Sequence, residues 1–247
     1  MVAVNTDQDV VDPSDQLTSL REAIEITNHL DGPDEIVFDL GQDQPSTIRL
    51  EMGELAVTDG LTIRGPGSDM LTIDARGRSR VFNITTKEGD FTVQGVTLSN
   101  GRTRGSNAPE KDTFNGGAIR STTAGTLTLD HSVVMNSRSD HGDGGGVFAL
   151  GRVSAHSSKI IGNETSYDLL SGSGPVGPAL GGGIRAAGDV EIVSSTISHN
   201  TGVGVNSLKN ITVTTSTISE NDGPGLLAWG NAKESRKNNL SNFICEG

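Results

Sequence analysis

Residues 181–221 read GGGIRAAGDVEIVSSTISHN followed by TGVGVNSLKNITVTTSTISEN, and these two segments are copies of one structural unit. Equivalent residues lie 21 positions apart, as in Ile184 and Val205 or in Asn200 and Asn221. A fixed period of this length is typical of a solenoid, in which each repeat packs against its neighbours. The stretch therefore predicts a repetitive fold.

Each unit contains three short runs of alternating apolar residues, separated by Gly or Asn. Runs this short predict strands, because helices need longer apolar patterns. Three strands in about 21 residues predict an all-β fold, a right-handed parallel β-helix with coils about 4.8 Å apart. The residues expected to fill its bore include Ile184, Val190, Ile192 and Ile197.

The same register extends to earlier coils and predicts where the chain leaves them. Spacings of 28 and 37 residues between first-strand positions indicate inserted residues, and Asn at the bends predicts a hydrogen-bonded ladder. The first-strand positions are Ile119, Val147, Ile184, Val205 and Leu226. The ladder positions are Asn100, Asn136, Asn163, Asn200 and Asn221.

The pattern divides the chain into three segments. Residues 1–34 are an acidic lead-in and a helix over 17–29, which begins at a Ser19/Glu22 capping box and covers the open end of the bore. Residues 35–228 form the β-helix, with insertions at 101–115 and 164–180. Residues 229–247 lose the repeat and are predicted to form an irregular tail, or to mark a chain shortened from a longer protein.

The composition of the chain limits the partners and the kinds of site that it could have. The formal net charge of −12 disfavours nucleic acid and anionic membranes as partners. No apolar run is long enough to span a bilayer, and the first residues lack the pattern of a signal peptide. One cysteine, Cys245, excludes an internal disulfide framework. No residue set has metal-ligand spacing, so neither a resident metal nor a cofactor is predicted.

Two motifs resemble known surface proteins. Ser19 to Ile24 (SLREAI), followed by strand patterns at 34–38 and 61–67, resembles the N-terminal module of bacterial surface proteins named for a CSLREAI motif; Thr18 replaces its cysteine. The GGAI and GGGI segments at 116–119 and 181–184 resemble polymorphic outer-membrane protein repeats. Both resemblances imply a right-handed β-helix located outside the cell or on its surface, often in far longer chains. We expect the chain to be a monomer or part of a longer chain.

Two clusters are candidates for chemistry. Asp140, His141 and Asp143 fall between two coils, and parallel β-helices include enzymes that cleave acidic sugars with paired carboxylates or with Ca²⁺-bound carboxylates. A basic patch is predicted from arginines, whose forked donors suit carboxylate and sulfate groups. These arginines are Arg76, Arg78, Arg80, Arg102 and Arg104.

The sequence favours a non-catalytic β-helix that is structural or adhesive and binds carbohydrate or a cell-surface protein. The alternative is a polysaccharide lyase or glycoside hydrolase that uses the loop at 140–143, with Ca²⁺ as a cofactor in the lyase case.

Overall fold

A computed structural model describes residues 1–41, 44–86, 89–104, 114–140, 142–166, 180–235, 238–240 and 243–245. These residues form one short helix and 28 short strands, numbered β1–β28 in chain order. The strands stack into three long sheets and one short sheet, and successive coils supply neighbouring strands of each sheet. The neighbours pair in parallel, so the chain is a parallel β-helix.

Sheet A has nine strands and includes the first strand of the chain. They are β1 (Val2–Val4), β2 (Asp34–Phe38), β5 (Leu61–Arg64), β8 (Phe91–Gln94), β12 (Thr126–Asp130), β16 (Arg152–His156), β20 (Val190–Val193), β23 (Ile211–Thr214) and β26 (Ala232–Ser235).

Sheets B and C have eight strands each. Sheet B consists of β3 (Ser46–Arg49), β6 (Leu71–Asp74), β9 (Thr97–Ser99), β13 (Val133–Met135), β17 (Lys159–Ile161), β21 (Thr196–Ser198), β24 (Thr217–Ser219) and β27 (Asn239–Leu240). Sheet C consists of β4 (Leu55–Val57), β7 (Phe82–Ile84), β11 (Ile119–Ser121), β15 (Val147–Ala149), β19 (Ile184–Ala186), β22 (Val205–Ser207), β25 (Leu226–Ala228) and β28 (Phe243–Cys245). The predicted first-strand positions pair in register throughout sheet C.

The fourth sheet, sheet D, is built from β10 (Arg102–Thr103), β14 (Arg138–Asp140) and β18 (Glu164–Ser166). Strands β10 and β18 lie at the starts of the two predicted insertions, whereas β14 lies between the insertions. The described N-terminal ends of both insertions are therefore strands of the β-helix. Residues 105–113 and 167–179, the larger part of the insertions, lie outside the described residues.

The bore is filled by aliphatic side chains from all three long sheets. The four residues predicted to point inward, Ile184, Val190, Ile192 and Ile197, are at most 1% exposed. Phe82 and Phe91 pack edge to face inside the bore, with ring centroids 5.3 Å apart. Because each coil contributes only a few apolar residues, coil stacking accounts for most of the burial.

Helix α1 (Leu20–Thr27) packs on the first coil and covers one end of the bore. The predicted capping box is present, with Ser19 and Glu22 bonded reciprocally. The predicted bounds of 17–29 were too wide, because the chain becomes helical only after the Ser19 cap and ends at the Asn28 cap. Leu20, Ala23 and Ile24 form its buried face.

Two ladders of polar side chains run through the bends. Asn163, Asn200 and Asn221 form one, in which the Asn163 side chain donates to Asn200 at 3.1 Å and the Asn200 side chain donates to Asn221 at 2.9 Å. Asn136 and Asn100 do not belong to this ladder; they occupy the left-handed bend position just before it, with φ of 52° and 54°. The ladder position in the coil before Asn163 is Ser137.

The second ladder lies at the bend between sheets A and B. Hydrogen bonds from backbone N–H to hydroxyl oxygen join Val96, Ser132, Ser158, Ser195 and Ser216 across intervals of 36, 26, 37 and 21 residues. The interval of 21 therefore describes the later coils, while earlier coils are longer.

The tail at 229–247 was predicted to be irregular, and that prediction was wrong for its described part. Strands β26, β27 and β28 form a further coil that pairs with the coil before it. Backbone pairing persists here although the apolar pattern is lost; Glu234, for example, pairs with Val213.

Candidate functional site

Sheet D arises where the chain turns after the left-handed residues Asn100 and Asn136. The following strands, β10 and β14, are polar and pair in register through Arg102 and Arg138. Strand β18 continues the register with Glu164 beside Arg138. Because neighbouring parallel strands lie about 4.8 Å apart, these three long polar side chains form a row on one face.

The row faces a groove of about 510 Å³ that crosses four coils. Its polar lining includes Arg76, Asn100, Arg102, Asn136, Arg138 and Glu164. Three guanidinium groups and one carboxylate thus line a groove on a chain whose formal net charge is −12. The lining itself carries an excess of positive charge, and the carboxylates of Glu51 and Asp140 pair with its arginines from outside the lining.

Asp140 ends β14 and orients two of the arginines. Its Oδ2 accepts hydrogen bonds from Arg102 Nη2 at 2.7 Å and Arg102 Nε at 2.9 Å, and its Oδ1 accepts from Arg138 Nε. Burial raises the pKa of Asp140, but the hydrogen bonds from Arg138 and Arg102 outweigh burial and hold the pKa below its ordinary value. Asp140 is therefore ionised at neutral pH.

Arg138 is held from both sides. Besides Asp140, it contacts Glu164 Oε1 at 2.8 Å through Nη1 and donates to Ser166 Oγ at 3.1 Å through Nη2. The hydrogen bond that Arg138 donates to Asp140 raises the pKa of Arg138, and burial opposes this shift, so the guanidinium stays charged. A guanidinium fixed in this way loses little side-chain entropy when it binds a ligand.

The five arginines predicted to form a basic patch lie in different environments. Arg76 and Arg102 line the groove, and Arg78 shares Glu51 with Arg76 at its outer side. Arg104 is exposed and bonds the carbonyl of Gly77, a lining residue, at 3.4 Å.

Arg80 does not belong to the groove surface. It is 7% exposed and bonds Glu54 at 2.6 Å and the carbonyl of Gly116. Burial lowers its pKa, and the contact with Glu54 opposes that shift. Its assignment as a ligand-binding residue is therefore corrected to a structural role between coils.

The three residues proposed for catalysis do not share one loop. Asp140 lies in a strand, whereas Asp143 follows it toward sheet C and contacts Arg185 Nε at 3.5 Å. The position of His141 lies outside the described residues. In the described ranges, no three His, Cys, Asp or Glu side chains are grouped closely enough to hold a metal ion.

Arg138 and Glu164 were not found from the sequence. A signal for Arg138 exists, since residues 100–103 (NGRT) and 136–139 (NSRS) share the order Asn, any residue, Arg, hydroxyl residue. The interval of 36 residues between these segments equals that between Val96 and Ser132 in the serine ladder. A search limited to the 21-residue period misses this alignment.

Residues 59–242 match the family model described as right handed beta helix region. The match covers most of the chain, so the chain belongs to this family and the β-helix is right-handed. No curated protein and no solved structure matches the chain. Within the described residues, no helix is both long and apolar enough to cross a membrane.

Proposed function

We propose that the chain is a non-catalytic β-helix of the cell surface or extracellular space that adheres to acidic polysaccharide through the arginine-lined groove. The observation that carries this proposal is that Arg76, Arg102 and Arg138, which come from three successive coils, line one groove. The resemblance to surface proteins with the CSLREAI motif supports the location. The rigid coil stack supports a structural or adhesive role.

The ligand class follows from the charges and the shape of the groove. Guanidinium groups bind carboxylate or sulfate through paired N–H donors, and Asn100 and Asn136 add amide groups at the same wall. Arg102 directs Nε and Nη2 at Asp140, and its Nη1 has no hydrogen bond to the described residues. That nitrogen supplies two N–H donors for a ligand.

The test is binding of polygalacturonate and of a sulfated glycan to the purified protein, measured by calorimetry. Replacing Arg102 or Arg76 by alanine removes a charge-assisted contact, and we expect each change to weaken binding about tenfold. Arg64→Ala is the matched control, because Arg64 is an exposed, ion-paired arginine on sheet A. Unchanged affinity in both groove variants would rule out the proposal.

The second candidate is a lyase or hydrolase acting on the same polymer, favoured by the ionised Asp140 between two arginines. Asp140→Asn separates the two functions. If the groove only binds the polymer, the variant has one negative charge fewer and more free guanidinium donors, so its affinity for the polyanion rises. As an enzyme, it stops forming product, which is followed as new reducing ends and as ultraviolet absorbance of unsaturated sugars.

A further inference from the structure

A second surface lies at the bend between sheets C and A, away from sheet D. Three exposed large apolar residues occupy the same position in different coils, directly after a strand of sheet C: Leu150, Leu208 and Trp229 are 49%, 43% and 59% exposed. Ala187 holds this position in the coil between Leu150 and Leu208. We call these four residues the apolar row.

Backbone hydrogen bonds fix the register of the apolar row. Ala187 N–H donates to Ala149 at 2.8 Å, Leu208 N–H to Ala186 at 3.0 Å, and Trp229 N–H to Ser207 at 3.1 Å. Each member of the row therefore lies one coil further along the β-helix than the member before it, and neighbouring strands are about 4.8 Å apart. The row runs parallel to the long axis of the β-helix.

A polar groove of about 320 Å³ follows the apolar row on the sheet A side. Its lining starts two residues after each member of the row, with Arg152, Asp189, Asn210 and Asn231. Asp189 contacts Arg152 at 3.4 Å and accepts from the Asn210 amide at 2.9 Å. The side chain of Asn231, which lines this groove, has no hydrogen bond to the described residues.

The charges lining the polar groove balance. Arg152 and Lys233 oppose Asp189 and Glu191, and the remaining polar lining consists of Asn210, Asn231 and Thr212. The polar groove has no net charge, and the whole chain has a formal net charge of −12, so this surface does not attract a polyanion. Amides and paired charges instead suit a ligand with many hydroxyl groups and no charge.

The width of the apolar row argues against a protein partner. The row has polar residues on one side, and on the other the column Phe148, Arg185, Asn206 and Leu227, which is apolar only at its two ends. Stable protein interfaces bury about 800 Å² on each partner around a broad apolar centre. A sugar chain has narrow apolar C–H faces and hydroxyl edges, which match a row beside a polar groove.

We propose that the apolar row and the polar groove form a second site, which binds an uncharged oligosaccharide along the coil stack, with Trp229 packed against a sugar ring. The Asn231 amide, Asn210 and Asp189 are placed to bond its hydroxyl groups. This site is separate from the arginine-lined groove and takes a different class of ligand.

The chain contains one tryptophan, so its fluorescence reports on this site alone. We expect a saturable change in Trp229 emission on titration with at least one of three hexasaccharides, those of β-1,4-linked glucose, mannose and N-acetylglucosamine. Polygalacturonate should leave the emission unchanged. Absence of a saturable change with all three hexasaccharides would overturn the proposal.

Variants identify the contacts. Asn231→Ala keeps the fluorophore and should weaken binding about tenfold, and Trp229→Ala, followed by calorimetry, should weaken it at least as much. Met52→Ala is the control, because Met52 is equally exposed at 58% and lies near the helix-capped end. Arg102→Ala should bind the hexasaccharide normally even if the proposed acidic ligand is wrong. Normal binding by both site variants would contradict the assignment.

Discussion

Asn200 connects three coils through its side chain and is fully buried. Its Nδ2 donates to Asn221 Oδ1 at 2.9 Å and to the Ile160 carbonyl at 3.0 Å, while its Oδ1 accepts from the Asn163 backbone at 2.9 Å. Replacement by Asp keeps the shape but removes both donors. A buried carboxylate would then face two oxygens that have lost their partner.

We therefore predict that Asn200→Asp lowers the free energy of unfolding at pH 7 by about 3 kcal/mol. The measurement is guanidinium denaturation followed by circular dichroism. Asn136→Asp is the control, because Asn136 is exposed at the preceding bend position and Asp also tolerates its left-handed backbone. Equal losses in the two variants would refute a special role for the buried ladder.

At the scale of elements, Asp9 joins the lead-in, helix α1 and the bend after β3. Its carboxylate, whose side chain is 1% exposed, bonds Arg21 at 2.8 and 3.0 Å and accepts from the backbone N–H groups of Glu51 and Met52 at 2.7 and 2.9 Å. Burial raises the pKa of Asp9, but the bonds from Arg21, Met52 and Glu51 together lower it below its ordinary value.

A lowered pKa in the folded state gives a defined pH dependence. The contribution of Asp9 is complete above the unfolded pKa of about 3.9 and is lost as the pH falls through the lower folded pKa. Asp9→Asn should thus cost about 2 kcal/mol at pH 7. The difference in melting temperature between the two proteins should shrink below about pH 4. A difference that stays constant with pH would show that the charge is irrelevant.

The elements that sequence predicts well are those with an uninterrupted apolar period. Residues 181–221 fix the three strands of a coil because Ile184, Val190 and Ile197 each have an equivalent 21 residues later. Sheet D was missed because its strands, RT, RSD and ETS, contain no apolar alternation. Their pairing is imposed by the stacked coils on either side, which local sequence does not express.

The same reasoning explains the site predictions. Arg76 and Arg102 were found because a basic run is visible in sequence. Arg80, in that same run, is buried because its position just before β7 brings it against Glu54, a contact between coils. Arg138 joins the groove through a register of 36 residues, which the 21-residue period does not predict.

At the scale of the whole molecule, the net charge of −12 opposes the arginine-lined groove at long range. The Debye length falls from about 30 Å at 0.01 M salt to about 10 Å at 0.1 M, so added salt screens the distant acidic surface before it weakens contacts inside the groove. We predict that the association rate constant for polygalacturonate rises severalfold over this range, while dissociation also accelerates.

Surface plasmon resonance at several salt concentrations measures both rate constants. An uncharged hexasaccharide serves as the internal comparison, because binding at the polar groove beside Trp229 involves no net charge and should keep the same rates. An association rate for the polyanion that instead falls with added salt would mean that the groove steers its ligand despite the acidic surface. The long-range field of the molecule would then be dominated by Arg76, Arg102 and Arg138 rather than by the excess of carboxylates.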